Sequence, residues 1–351
     1  MPAYFRQRVG SQILVLLLVI TALMQLLELL DVTTDVLKRD LGVLGILYYG
    51  ALRVPADIVT ALPPAVLIGT LLALSSMARN LEIVTMRAAG VGMSRMLAYL
   101  LPVGLALAIG QFALTELVLP GADNQLKTWW SASAPDDDTP TRLWAHTKGG
   151  TVSMDRISPD AHELMGVRLY VRNAEGLMVD RVVATRALWD GKAWQLQGVT
   201  EIGVSAEKIV RTHVADREWD TNLRPDDVLR LDVDRPNLST MMLAQVIEGT
   251  RAGTLPHRYY ETVLYRSFAA PLGIFVMLLL ALPTAAVLPR SGGGGRAMGI
   301  ALVLGLLFLL CDGMIAALGT SSRWPPAVIA LAAPVLFAAI GLLQLHSCER
   351  I

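Results

Sequence analysis

Long apolar runs separated by polar segments divide the chain into three parts. The first and last parts contain apolar runs of about twenty residues, whereas the middle part contains only short ones. Since an α-helix rises about 1.5 Å per residue, each long run is sufficient to cross a bilayer. The pattern predicts six membrane-spanning helices, at residues 11–30, 58–78, 97–119, 268–288, 298–318 and 327–346.

The middle part, residues 121–256, has the pattern of β-strands. Residues 167–171 alternate between apolar and polar side chains, as is typical of a half-buried strand. Turn sequences stand at hairpin spacing, at Asn173–Gly176 and Asp190–Gly191. This pattern predicts an all-β domain of the jelly-roll or sandwich type, inserted between residues 1–120 and 257–351.

Three local features refine the β-domain. Trp189 and Trp194 flank the second turn, so we expect them to pair across two strands. Residues 238–250 have a helical pattern and lead the chain back toward the membrane. The acidic run Asp136–Asp138 lacks the spacing of a cation site and is interpreted as a solvated loop.

The loop between the second and third spans, residues 75–96, is basic. It contains Arg79, Arg87 and Arg95 with a single acid, Glu82. Because loops rich in Lys and Arg stay in the cytoplasm, the loop and both chain termini are predicted to be cytoplasmic. The β-domain then lies on the opposite, outer side.

A short amphipathic helix is predicted within this loop. Leu81, Val84 and Ala88 fall on one helical face, Asn80 is a candidate N-cap, and Gly90 is a candidate helix end. Two interpretations stay open. The helix either docks a partner protein or lies on the inner leaflet of the membrane.

Composition restricts the classes of function. Only 17% of the residues are charged, against about a quarter in soluble domains, and the formal net charge is zero. The charge balance argues against a nucleic-acid partner. None of the five histidines lies in an HExxH motif or beside a GxSxG serine, which argues against an enzyme. The glycine-rich segment 290–296 lacks the Lys of a P-loop and is interpreted as a linker. With these motifs missing, no catalytic residue, metal or cofactor is predicted.

Charged residues near the outer ends of the spans are candidates for contact with an amphiphile. Lys38, Arg39, Arg53 and Lys127 can meet an anionic headgroup, or they are ordinary solvated charges. Glu28 either snorkels to the interface or faces a polar cavity. Asp312 lies inside the fifth span, where an acid usually faces protein or water.

Five sequence segments resemble the lipopolysaccharide export permeases of the LptF/LptG family. Their order along the chain and the predicted arrangement of spans also match that family. The segments are Asn80–Gly90, Leu143–Ala145, Trp194–Leu196, Trp219–Pro225 and Leu306–Asp312, and the last four resemble the G-type members most. The resemblance extends over essentially the whole chain. It implies an α-helical membrane protein with six transmembrane helices and an inserted periplasmic β-jellyroll domain.

The resemblance also implies a function and a set of partners. A G-type and an F-type permease would form a heterodimer in the inner membrane of a Gram-negative bacterium. An LptB ATPase dimer would drive extraction of lipopolysaccharide, LptC would insert a helix beside the first span, and LptA would continue the periplasmic bridge. ATP hydrolysis is expected in that partner, because this chain has no Walker motif.

Residue roles are carried over position by position. Glu82 matches the family acid that engages an arginine of the ATPase, within a coupling segment that contains Arg79, Leu81, Glu82, Val84 and Arg87. The expected lipopolysaccharide-contacting residues are Glu28, Lys38, Arg39, Arg53, Lys127 and Asp312. At two positions the chain departs from the family pattern, because Val32 and Trp130 stand where basic residues are expected.

Two alternative functions remain at this point. A permease of another envelope lipid or lipoprotein exporter would also carry a large outer domain, though typically on four spans. A membrane-bound lipid-modifying enzyme would need a nucleophile and a base close together. The predicted six spans argue against the first alternative, and the missing catalytic motifs argue against the second.

Overall fold

The structure is a computed structural model, and the part of the chain that it describes has several gaps. The described residues are 2–133, 143–147, 150–158, 160–172, 178–204, 209–228, 238–253, 255, 257–286, 294–319 and 324–349. The chain forms two compact units. The helical unit contains Met1–Lys38, Gly42–Ala122 and Glu261–Ile351, and the β unit contains Arg39–Leu41 and Asp123–Tyr260. The segments predicted at Asp136–Asp138 and Asn173–Gly176 lie outside the described residues.

The prediction of six apolar helices is confirmed within the described residues. Six helices are long and apolar enough to cross a membrane: Pro2–Lys38, Gly42–Arg79, Met93–Trp130, His257–Ala286, Gly294–Ala317 and Pro326–Cys348. They are built from α1 (Pro2–Lys38), α2 (Gly42–Arg79), α4 (Met93–Ala113), α5 (Leu119–Ala132), α8 (His257–Ala281), α9 (Gly294–Gly319) and α10 (Pro326–Glu349). Between α2 and α4 lies the short helix α3 (Glu82–Ala88). A π-helical segment, Leu114–Val118, joins α4 to α5, and a 3₁₀ segment, Leu282–Ala286, ends α8.

The first two spans are longer than their apolar runs. The polar and apolar mixture at residues 31–57 predicts a connection that partly continues the two helices, and in the structure α1 continues to Lys38 and α2 begins at Gly42. The turn between them is short because Asp40 and Gly42 take left-handed backbone conformations, with φ of 54° and 60°. Helix formation does not require a continuous apolar run, so the apolar runs alone ended α1 too early and began α2 too late.

The spans α1 and α2 pack closely along their length. At Gly69 a Cβ atom would lie 2.7 Å from the Cα atom of Ile13, so only glycine allows this approach of the two backbones. Ile13 and Leu67 are fully or almost fully buried in the core of the helical unit. The same core includes Ile83 and Met86 of α3.

The described strands form one seven-stranded antiparallel sheet. They are β1 (Leu143–Thr147), β2 (Gly150–Met154), β3 (Arg156–Ile157), β4 (Glu163–Arg172), β5 (Met178–Trp189), β6 (Trp194–Val204) and β7 (Ile209–Trp219). Their order is β1-β2-β4-β5-β6-β7, with β3 paired to β4. An antiparallel β region in the middle of the chain is therefore confirmed. The jelly-roll form of this region stays a prediction.

The β5–β6 hairpin has the predicted tryptophan pair. Trp189 and Trp194 are opposite each other, with ring centroids 5.3 Å apart. Trp194 is fully buried, and its indole N–H donates to the carbonyl oxygen of Leu223 at 2.9 Å. In the turn, the Asp190 carboxylate accepts the backbone N–H groups of Lys192 and Ala193 at 2.8 and 2.7 Å.

Two small helices belong to the β unit, α6 (Pro225–Val228) and α7 (Thr240–Ile247). The longer α5 begins in the helical unit and continues into the β unit from Asp123. The predicted helix at residues 238–250 is confirmed as α7. Its N-cap is Ser239, whose hydroxyl oxygen accepts the backbone N–H of Met242.

Candidate functional site

The first candidate site is α3, which lies between spans α2 and α4. Its N-cap is Leu81, in a left-handed conformation with φ of 61° and without a side-chain capping bond. The prediction of Asn80 as the cap is therefore wrong. Asn80 instead belongs to the turn after α2, where its backbone N–H donates to Ser76 O.

The other end of α3 closes as the sequence predicted. Gly90 is left-handed, with φ of 80°. Its N–H donates to Arg87 O at 2.9 Å, and the N–H of Val91 donates to Met86 O at 3.0 Å. This pair of bonds is a Schellman motif, and the buried side chains of Val91 and Met86 supply its usual apolar contact.

The helix α3 has two apolar faces. Ile83 and Met86 are 2% and 6% exposed and join the core of the helical unit. On the opposite side, Leu81 and Val84 are 49% and 38% exposed. The sequence pattern identified the exposed face, Leu81–Val84–Ala88, but missed the buried one. The spacing of Ile83 and Met86, three residues apart, was the available signal.

Charged side chains lie at both ends of α3. The Tyr4 hydroxyl donates to Oε1 of Glu82 at 3.4 Å. The other oxygen, Oε2, is buried and has no hydrogen-bond partner among the described residues. Arg87 donates to Ala286 O at 3.5 Å, so the guanidinium links α3 to the end of α8. Arg79 is exposed at the last turn of α2. The five predicted coupling residues thus lie in one continuous segment, which runs from the last turn of α2 through α3.

The charges predicted to contact lipid belong to both units, some to the helical unit and some to the β unit. Lys38 is exposed and forms an ion pair with Asp35 at 3.1 Å. Within the β unit, the Arg39 guanidinium lies 4.1 Å from the ring centroid of Trp130 and donates to Trp130 O at 2.8 Å. Arg39 therefore stacks on the tryptophan side chain. Lys127 lies on α5 and is partly buried.

Glu28 and Arg53 contact each other. The Arg53 Nε–H donates to Glu28 Oε1, and the Tyr49 hydroxyl donates to the same oxygen at 3.2 Å. Glu28 faces α2 rather than snorkelling, because its side chain is only 19% exposed. The predicted roles of Glu28 and Arg53 in lipid binding stay predictions, and in this conformation each is the other's partner.

Asp312 also has an internal partner. Its Oδ2 lies 2.7 Å from Nη2 of Arg266, and both side chains are 28% exposed. A second guanidinium nitrogen donates to Asp312 O at 3.2 Å. The sequence identified the acid but missed its partner, because nothing in the local pattern relates α8 to α9. Among the described residues, no group of three or more His, Cys, Asp or Glu side chains could hold a metal ion.

A comparison with known families identifies the class of protein. The family model "Lipopolysaccharide export system permease LptF/LptG" matches residues 3–346. The chain belongs to the LptF/LptG family. The expectation from the five sequence segments is thus confirmed, and it covers almost the whole chain.

Individual LptF/LptG relatives are similarly long. The chain is 24% identical over 345 residues to the lipopolysaccharide export system permease protein LptG of Escherichia coli strain K12, covering 97% of this chain and 96% of the relative. It is 23% identical over 316 residues to the LptG protein of Haemophilus influenzae, covering 88% and 87%. These relatives are export permeases, consistent with a transporter component rather than an enzyme.

Proposed function

We propose that this chain is the G-type permease subunit of an ABC transporter that extracts lipopolysaccharide from the outer leaflet of the bacterial inner membrane. Family membership supports lipopolysaccharide as the cargo. Helix α3, with one buried and one exposed apolar face, supports coupling to a separate ATPase. The β unit would be periplasmic and would pass the glycolipid to a β-jellyroll bridge that continues through LptA. Both termini would be cytoplasmic, in agreement with Arg6, Arg8 and the basic loop around α3.

The exposed face of α3 is the proposed docking surface for an LptB-type ATPase dimer. Leu81 and Val84 are exposed, while Ile83 and Met86 are buried in the same short helix. A force applied to the outer face is therefore transmitted directly into the core of the helical unit. Glu82 lies beside this face and would accept a charge-assisted hydrogen bond from an ATPase arginine once its carboxylate turns outward.

The lipid-facing surfaces support an amphiphilic cargo and further membrane partners. Leu18, Ile109 and Val303 are 70%, 61% and 63% exposed on three different spans. Such surfaces would contact lipid chains, an F-type permease and an LptC helix. Each methylene moved from water into an apolar site gains about 0.8 kcal/mol, so extraction of a many-chained lipid requires an energy source outside this chain.

The headgroup would be met by cations at the outer ends of the spans. Lys38, Arg39 and Lys127 are the proposed direct contacts, and Arg53, Glu28 and Asp312 are proposed as further polar contacts. Trp130 reduces the positive charge expected of the family at this place and binds Arg39 by its ring and carbonyl oxygen. We therefore expect this chain to require fewer phosphate groups on its lipid than a member with a basic residue there.

The docking role of α3 is tested by Glu82→Ala. Loss of one charge-assisted hydrogen bond costs about 1.5–3 kcal/mol, so we expect at least about tenfold weaker binding of the ATPase. The measurement is co-purification of the ATPase with the permease pair, together with lipid-stimulated ATP hydrolysis in nanodiscs. Val84→Glu, which places a charge on the apolar face, should reduce both quantities further.

A matched control is Glu218→Ala, which removes an exposed acid from β7 of the β unit. It should leave both measurements unchanged. Normal ATPase recovery and normal coupled hydrolysis in Glu82→Ala and Val84→Glu would refute the docking role of α3.

A further inference from the structure

The N-terminal end of α1 lies beside α3. The helix begins at Pro2, although the long apolar run within it begins only at residue 11. In this first part, Phe5 and Val9 are fully buried one helical turn apart, and they belong to the same hydrophobic core as Ile83 of α3. The first turns of α1 are therefore fixed by packing, and Tyr4 is fixed with them.

Tyr4 contacts the acid that begins α3. Its hydroxyl donates to Oε1 of Glu82 at 3.4 Å. The other carboxylate oxygen, Oε2, is buried and has no hydrogen-bond partner among the described residues. The Tyr4 side chain is still 54% exposed, so the contact between the two residues is open to solvent on one side. The Glu82 carboxylate is thus held by α1 at one oxygen and covered at the other.

This orientation of Glu82 does not suit an incoming arginine. A guanidinium group binds a carboxylate best as a bidentate pair, in which each oxygen accepts one N–H. Here Oε2 is covered and Oε1 already accepts the Tyr4 hydroxyl. Docking through this carboxylate therefore requires it to rotate outward, and that rotation breaks the hydrogen bond from Tyr4.

We infer that Tyr4 is a positioning residue that holds Glu82 in an undocked orientation and thereby weakens docking of the ATPase to α3. This inference rests on the proposed docking role of α3. Because the hydrogen bond is made only in the undocked permease, it stabilises the undocked state and opposes the docked one. The hydroxyl carries the effect, since it is the only polar atom of the Tyr4 side chain.

The central test is Tyr4→Phe, which removes the hydroxyl and keeps the ring. Loss of one hydrogen bond from the undocked state should make ATPase binding about two- to tenfold tighter. Biolayer interferometry measures the binding, with the full-length permease pair in lipid nanodiscs and its purified ATPase in solution. The gain should come from faster association with little change in dissociation, because the lost bond exists only before docking.

Two further variants show whether the hydroxyl acts through Glu82. In a Glu82→Ala background, Tyr4→Phe should have no effect on ATPase binding, because the acceptor is missing there. The matched control is Tyr265→Phe on α8, since Tyr265 is 47% exposed and belongs to the same helical unit. It should leave both the association rate and the dissociation rate unchanged.

Several outcomes would overturn the inference. They are unchanged or weaker binding in Tyr4→Phe, a gain that persists in the Glu82→Ala background, a gain caused by slower dissociation, and an equal gain in Tyr265→Phe. The docking role of α3 is judged separately, by Glu82→Ala alone. Weaker binding in Glu82→Ala together with no gain in Tyr4→Phe would keep the docking role and reject the role of Tyr4.

Discussion

In the β unit the buried indole N–H of Trp194 donates to a carbonyl oxygen, whereas in the helical unit both buried amide atoms of Gln25 lack a hydrogen-bond partner among the described residues. Buried Asp57 and Gln111 in the helical unit also have such atoms. Among the residues that the structure describes in the β unit, Ser153 and Arg181 have such atoms, and the Arg181 guanidinium lies 5.6 Å from the ring centroid of Tyr170. Burying an unpaired polar group costs about 1–3 kcal/mol, so unpaired atoms mark places where a further group or another conformation is needed.

The two units also differ in their apolar side chains. The sheet core of the β unit is closed, and Val167, Trp194 and Leu196 are fully buried. The helical unit exposes long apolar side chains on most of its spans, such as Leu18 and Leu343 at 70% and 68%. A sheet that buries its own core is stable in water, whereas these helices require lipid or partner helices around them. The described strands thus bury their own core, whereas the helical unit exposes apolar side chains that need apolar surroundings.

The largest effect should come from the closed core of the β unit. Trp194→Ala removes the largest buried side chain of that core and leaves Leu223 O without its donor. We expect a loss of about 3–5 kcal/mol of local stability. Hydrogen exchange of the full-length protein in detergent should become faster in β5, β6 and β7 and stay unchanged in α2.

The matched control is Trp144→Ala. Trp144 is 45% exposed on β1, although its ring stacks on Tyr170 at 5.7 Å. The expected cost is below about 1.5 kcal/mol, which is the upper value for such an aromatic pair. Equal effects of the two substitutions would show that the β unit does not have the closed core described here.

A smaller effect is expected at the Arg266–Asp312 ion pair of the helical unit. Arg266→Ala leaves a partly buried carboxylate without its cation, which should cost about 1–3 kcal/mol. Replacing both partners, as Arg266→Met with Asp312→Leu, should recover most of that loss, because an apolar pair needs no hydrogen bonds. Thermal unfolding in detergent measures both values, and a double variant less stable than the single one would contradict the pairing.

The smallest effect is expected at the β5–β6 turn and depends on pH. The backbone N–H groups of Ala193 and Lys192 lower the pKa of Asp190 below its ordinary value. A lowered pKa in the folded state stabilises the fold above the ordinary pKa, and this stabilisation is lost as pH falls through the lowered value. Asp190→Asn should therefore weaken the hairpin near neutral pH and have little effect in acid. The near-ultraviolet circular dichroism of the Trp189–Trp194 pair reports the change, and an equal effect at both pH values would contradict it.

Local patterns in the sequence were sufficient for much of the fold. Apolar runs predicted the spans, and Asp190–Gly191 between two tryptophans predicted the β5–β6 hairpin with its ring pair. At residues 31–57 the sequence indicated that the helices partly continue, but it did not show how short the turn between them is. The local pattern failed at Asn80, because a favourable capping side chain does not decide where a helix begins when Leu81 takes the left-handed position.

The site could be predicted only where its residues are close in the sequence. The α3 segment was found because Glu82, Leu81 and Val84 are neighbours with helical spacing. The partners of Asp312 and Arg39 were missed, because Arg266 and Trp130 approach them only through packing. The i, i+4, i+8 spacing of Tyr49, Arg53 and Asp57 was visible in the sequence. The contacts of Tyr49 and Arg53 with Glu28 were not, because they depend on how α1 faces α2.

The close approach at Gly69 has a mechanical consequence. The backbone of α2 touches that of α1 at Ile13, near the end of the spans adjoining α3. If this backbone contact is kept while looser side-chain contacts change, the two spans can separate only by pivoting about it. Any widening between these spans must therefore grow with distance from Gly69, and it will be greatest around the α1–α2 turn. A small displacement of α3 would then become a larger displacement at the far ends of the same two helices.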